Sequence, residues 1–175
     1  MFTRDRRLTD QLNTVEYAVM PTLSRLTFAR VLLLYFWNSG MIKLGDWLFG
    51  FFTPRSGTYA QIFPKAFEVI GYDITQLTVF HWAVVTSGTI AEFVLPLQIV
   101  VGLLTRLSSM AMIVFIVVKS LTDKYGHGGN LGAWFNKVSS ELITDQRAFW
   151  IFVLLLLVFK GAGPVSLDRF FKRTP

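Results

Sequence analysis

The chain has 175 residues, 17 Lys and Arg, 11 Asp and Glu, and no cysteine. Hydrophobic residues make up 53% and charged residues 16%, with a mean hydropathy of +0.49, whereas a soluble domain carries about a quarter charged residues. These values exclude a disordered tail, a disulfide scaffold, cysteine redox chemistry and a thiolate-bound zinc or iron–sulfur centre.

Residues 1–25 are polar and basic. Leu8, Leu12, Val15, Val19 and Leu23 recur at helical spacing. Thr9 or Asp10 can cap this helix, and Pro21 is expected to end it. The segment reads as an amphipathic helix on the inner leaflet or packed under a bundle. A cleavable signal peptide is not expected, because the first 20 residues lack an apolar core.

The membrane core, residues 26–170, is marked by regularly placed cations. Arg30 and Lys43, Arg106 and Lys119, and Arg147 and Lys160 each bracket an apolar run, 13 positions apart. That is roughly 20 Å of helix. Basic side chains snorkelling from either end extend it to about the 30 Å of hydrocarbon. The runs are apolar all round, unlike buried helices of a soluble protein. A fourth apolar run, 74–104, holds only Glu92 and His81 as ionisable groups. It is long enough to cross with tilt, and Pro96 is expected to kink it. The expected fold is an all-α membrane protein, a four-transmembrane-helix bundle with spans of about 26–45, 74–104, 106–120 and 147–162. A short tail, 171–175, ends it.

An even number of spans puts both termini on one side. With the N-terminus cytoplasmic, the inner face holds Arg4, Arg6, Arg7, Arg25, Arg30, Arg106, Lys160, Arg169, Lys172 and Arg173 against Asp5, Asp10, Glu16 and Asp168. The outer face is nearly neutral. The net charge of +6 then follows from the positive-inside rule, and no nucleic-acid partner is needed. Two long outer loops, 46–73 and 120–146, are expected to contain short amphipathic helices, IFPKAFEVI and LGAWFNKVSSELI. A tight turn at Leu104–Arg106, capped by Thr105, joins spans two and three, and GAGP ends span four.

Glu92 is the candidate for chemistry, because a carboxylate at mid-membrane must be protonated, paired or facing water. His81 lies 11 positions away on the same helix face, nearer the outside. By helix rise, Asn38 and Ser39 lie at the depth of Glu92, with Lys43 about a turn further out. Glu92 is therefore expected to bond to the NSG segment and to Lys43. It serves either as a polar clamp fixing helix register or as a proton-accepting, ligand-orienting carboxylate. His81 reads as an interfacial histidine, or as a proton port or quinone-headgroup partner. His127 is a lone loop histidine, and no metal site is expected from two histidines.

Arg30 followed by NSGMIKL (38–44), then AEFVLPLQIVVGLLTR (91–106), HGGN (127–130) and GAGPVSLD (161–168), resembles in order and spacing the DoxX family of four-helix bacterial membrane proteins. The family takes its name from a subunit of a thiosulfate:quinone oxidoreductase. The resemblance covers residues 26–170 and marks Arg30, Gly40, Lys43, Leu44, Glu92, Gly102, Thr105, Arg106, Ser166 and Asp168. Phe93 and Val94 stand where the family has small residues, and Pro96 and Gln98 are additions. The resemblance implies a bacterial inner-membrane protein, not catalytic alone, acting as a subunit or partner of a quinone-linked redox system. Its ligand would be a bound quinone or lipid, and its partners other membrane or periplasmic proteins. Two further readings stay open: a structural or assembly subunit of a larger complex, and a proton-coupled transporter or export helper, which with so few spans needs a homo-oligomer.

Overall fold

A computed structural model describes residues 2–45, 50–130, 132 and 145–173. Among these the chain is helical and has no strand. The elements are α1 (Phe2–Phe28), a π turn (Ala29–Leu33), α2 (Leu34–Met41), α3 (Ser56–Ile62), α4 (Pro64–Val69), a 3-10 turn (Ile74–Gln76), α5 (Val79–Val101), α6 (Thr105–Leu121), a second π turn (Thr122–Gly126), α7 (Arg147–Lys160) and α8 (Leu167–Arg173). Three helices are long and apolar enough to cross a membrane: Val15–Met41, Val79–Val101 and Thr105–Gly126. The shortest of these, 22 residues, measures about 33 Å, enough for the hydrocarbon thickness. The fourth expected span corresponds to α7, which has 14 residues and a length of about 21 Å.

Pro21 does not end the first helix. It lies inside α1, which runs on through the π turn into α2. Proline forfeits one N–H and leaves the i−4 carbonyl unmatched, but neighbouring helices can hold the backbone in register. The N-terminal helix and span one are therefore one rod. Pro96 is likewise carried inside α5. The IFPKAFEVI stretch becomes the end of α3 and all of α4, broken at Phe63 (φ −125°, ψ 57°) with Pro64 opening the new helix. The expected helix LGAWFNKVSSELI lies almost wholly outside the described residues.

The core is a single seam. Phe28, Leu32 and Phe36 of the first rod meet Ile99 of α5, Met112 and Ile116 of α6, and Leu154 and Leu157 of α7. Tyr35 and Phe36 pack on Trp150 with ring centroids 5.1 and 6.2 Å apart. A second cluster, Tyr59, Phe67 and Val85, ties the α3–α4 lobe to α5. The outward faces are apolar as well: Val31, Leu34, Val94, Leu107, Val114, Phe152 and Phe159 are all exposed. In water such faces would associate, whereas in lipid they cost nothing, and packing between helices rests on close contact and polar bonds.

Candidate functional site

Lys43 follows α2 and reaches back along it to Glu92 on α5. Its Nζ forms an ion pair with Glu92 Oε1 and donates to Ser39 Oγ at 3.1 Å. Ser39 Oγ in turn donates to the same Oε1 at 3.1 Å. Glu92 is 0% and Lys43 6% exposed. The position of Lys43 is set by its own backbone: its carbonyl accepts from Arg55 N at 3.2 Å and Thr58 Oγ1 at 3.1 Å. Two ions removed from water gain stability only when their remaining hydrogen-bonding capacity is met. Here it is not fully met, because Glu92 Oε2 is buried with no partner among the described residues.

The ion pair borders a cleft of about 590 Å³. One wall is a stripe of α5: Val84, Ser87, Gly88, Ala91, Glu92 and Leu95. The facing wall is the same stripe of α6: Ala111, Val114, Phe115, Val118, Lys119 and Thr122. Both follow the i, i+3, i+4, i+7 spacing of one helix face. The cleft exists because the α5 stripe is made of small residues in its middle: a Cβ at Gly88 would stand 4.0 Å from the Phe115 ring. Gln61 and Ile62 of α3 close the lobe end, and Asp123 stands beside them. The middle of both walls is mostly apolar, with Gln61, Lys119, Thr122 and Asp123 as further polar groups, so the cleft suits a ligand with a greasy body and a polar head.

The sequence expectations divide. Ser39 and Lys43 do meet Glu92. Asn38 does not: it is exposed, one residue and thus about 100° around the helix from Ser39. His81 occupies the same α5 stripe about three turns from Glu92, but its ring closes a capping box with Thr78, with Nδ1 2.8 Å from Thr78 Oγ1. It packs edge-on to Phe63 at 4.8 Å and does not line the cleft. His127 is bonded to Gln61 O at 2.9 Å.

The bracket residue Arg147 does not snorkel. It is 2% exposed, donates to Ser120 Oγ at 2.9 Å and pairs with Asp123. Asp123 and Lys119 are cleft residues that sequence reasoning missed. The signal was available, since both continue the α6 stripe one and two turns beyond Phe115. Arg30 is exposed on the π turn. Gly40 is buried where a Cβ would come within 2.4 Å of the Phe93 ring, so glycine there admits the large residue beside Glu92. Leu44 is half-buried just past Lys43.

The other motif residues gather at the opposite end of the bundle and lock the α5–α6 turn. Gly102 has φ +73° and Leu104 φ +49°, conformations that favour glycine and strain leucine. The α6 N-terminus is not capped by Thr105, as expected. Leu104 holds the cap position without a side-chain bond. Instead Asp168, brought over by α8, accepts from Leu104 N at 2.7 Å and Thr105 N at 2.9 Å, while its own N–H donates to Gly102 O. Ser166 Oγ donates to Gly163 O. Arg106 donates to Phe159 O at 3.3 Å. Arg25, not singled out from the sequence as a site residue, completes the lock: its guanidinium donates to the carbonyls of Ile99, Val100, Ala162 and Val165. These residues hold three chain segments together.

Among the described residues no group of three or more His, Cys, Asp or Glu could hold a metal ion. No family model matches the chain, and neither a curated protein nor a solved structure matches it.

Proposed function

We propose that this chain is a four-span bacterial inner-membrane protein, with both termini cytoplasmic and α7 as the fourth span, that binds a lipid-soluble carrier of the quinone class in the α5–α6 cleft. The observation that carries this reading is a largely apolar cleft bordered by the buried Lys43–Glu92 pair, whose Glu92 Oε2 has no partner among the described residues. A quinone head needs donors in its oxidised form and acceptors in its reduced form. The Lys43 ammonium supplies the donor, and Glu92 supplies the acceptor. In this reading electrons pass through a partner protein, and the chain acts as the quinone-holding subunit of a membrane redox system. The DoxX-like order of motifs agrees with this assignment and adds the redox setting.

The test is direct. Full-length chain, purified in mild detergent, is titrated with a short-chain ubiquinone while thermal unfolding is followed. A saturable rise in Tm is expected, weakened tenfold or more in apparent affinity by Glu92→Gln. No saturable shift, together with no isoprenoid quinone in the solvent extract of the freshly purified protein, overturns the reading.

A second reading, an assembly subunit, is favoured by the apolar lobe surface, where Val69 is 86%, Tyr72 59% and Phe52 55% exposed. Co-isolation of stoichiometric partners that survives Lys43→Met/Glu92→Met would support it. The transporter reading gains nothing specific from the cleft geometry.

A further inference from the structure

At the end of the bundle away from the α3–α4 lobe, a groove of about 550 Å³ opens between the start of α6, the end of α7 and the segment leading into α8. Its lining carries three cations, Arg106, Lys160 and Arg169, against one carboxylate, Asp168. That carboxylate is already engaged by the backbone N–H groups of Leu104 and Thr105. Lys160 pairs with Glu16, but both side chains are close to half exposed, at 41% and 46%, and such pairs hold weakly. Arg106 gives one N–H to Phe159 O. Neither its remaining N–H groups nor the Arg169 guanidinium has a partner among the described residues. Gly161, at φ +80°, lies beside Arg106: a Cβ there would be in ordinary contact with Arg106 Nε at 3.4 Å.

Leu107, which lines the groove, is 60% exposed. Phe159 and Phe170, the chain neighbours of the lining residues Lys160 and Arg169, are 73% and 66% exposed, and Leu107 and Phe159 continue into the exposed faces of α6 and α7. Cations bordered on one side by surface built for hydrocarbon stand at the level of lipid phosphates. Arginine forks match phosphate oxygens two at a time. We propose that this groove binds the phosphate of an anionic phospholipid, with its acyl chains lying along α6 and α7. Free phosphate would meet the same cations but use none of the apolar surface beside them. A zwitterionic lipid would bring its own cation into a groove already rich in positive charge.

The test is native mass spectrometry of the full chain in detergent, titrated separately with phosphatidylglycerol and phosphatidylcholine of identical acyl chains. Two unpaired basic groups give phosphatidylglycerol an advantage of roughly thirty-fold. Arg106→Gln/Arg169→Gln is expected to erase that preference, and Arg169→Gln alone, which removes no described side-chain bond, to lower it about five-fold. Lys65→Gln/Lys124→Gln, which removes equal charge elsewhere, is expected to keep it. Equal binding of the two lipids by the unaltered chain overturns the proposal. So does displacement of phosphatidylglycerol by inorganic phosphate at equal concentration, or loss of the preference in the Lys65/Lys124 control.

Discussion

Replacing Lys43 by methionine keeps its length and removes only the ammonium. Glu92, 0% exposed, is then left with Ser39 Oγ at 3.1 Å as its one described partner. Breaking a buried pair from one side costs about 3–5 kcal/mol. The predicted destabilisation of Lys43→Met is therefore about 4 kcal/mol. For a chain of this size the loss at pH 7 lowers Tm by roughly 8–16 °C. Lys43→Met/Glu92→Met removes both charges with little change in total side-chain volume, and should unfold within about 1 kcal/mol of the unaltered chain. The assay is thermal unfolding in detergent at pH 7, arranged as a double-mutant cycle. A single variant within 0.5 kcal/mol of the unaltered chain would refute the reasoning. The double variant also separates clamp from ligand site, because it should fold and fail to bind quinone.

Three further outcomes follow from the fold. Gly102→Ala places a Cβ 2.6 Å from Ser166 Cβ at φ +73°, so it should cost about 2–4 kcal/mol; a Tm unchanged within 2 °C contradicts the packing described. Asp168→Ala leaves the N–H groups of Leu104 and Thr105 without their acceptor and should cost about 1.5–3 kcal/mol, with faster amide exchange at the first turn of α6; unchanged exchange there shows that another group caps the helix. Asp73, in the lobe, is held below the ordinary carboxylate value of 3.8 first by the Thr75 hydroxyl and then by the Thr75 N–H and Gln76. A lowered folded pKa means that its contribution is complete above 3.8 and is lost as pH falls through the lower value. Carboxyl NMR should give Asp73 a midpoint under 3.8, and a midpoint at or above it removes the proposed bonds.

The helical class and the limits of two of the four expected helices were legible because they depend on local composition. A run such as AFWIFVLLLLVF is apolar on every face, and one-dimensional charge spacing marks where it begins and ends. The expected limits 106–120 and 147–162 fall within two residues of α6 and α7. Helix rise alone also brought Ser39 to the depth of Glu92 and set Lys43 about a turn further out, within reach of it. Rotation about the axis was harder: Asn38 and Ser39 differ by one residue in height but by about 100° in direction, and only the neighbour that α2 packs against decides which one faces the acid. Pro21 failed as a stop signal for a related reason. A proline breaks an isolated helix through a local backbone loss, and a bundle can outweigh that loss.

The sequence by itself determined that this chain is helical, apolar on its outer faces and built around one mid-span carboxylate, because each of these is a property of residue type and spacing. Tertiary structure decided the rest. It turned Arg147 from a membrane-edge anchor into a buried partner of Asp123, gave the α6 cap to Asp168 from 63 positions away, and drew Arg25 into four carbonyls on two other segments. It also left the small-residue stripe of α5 facing a matching stripe of α6 with a cleft between them. Such pairings join residues far apart in the chain, and their energies depend on distance and burial, which no local pattern encodes.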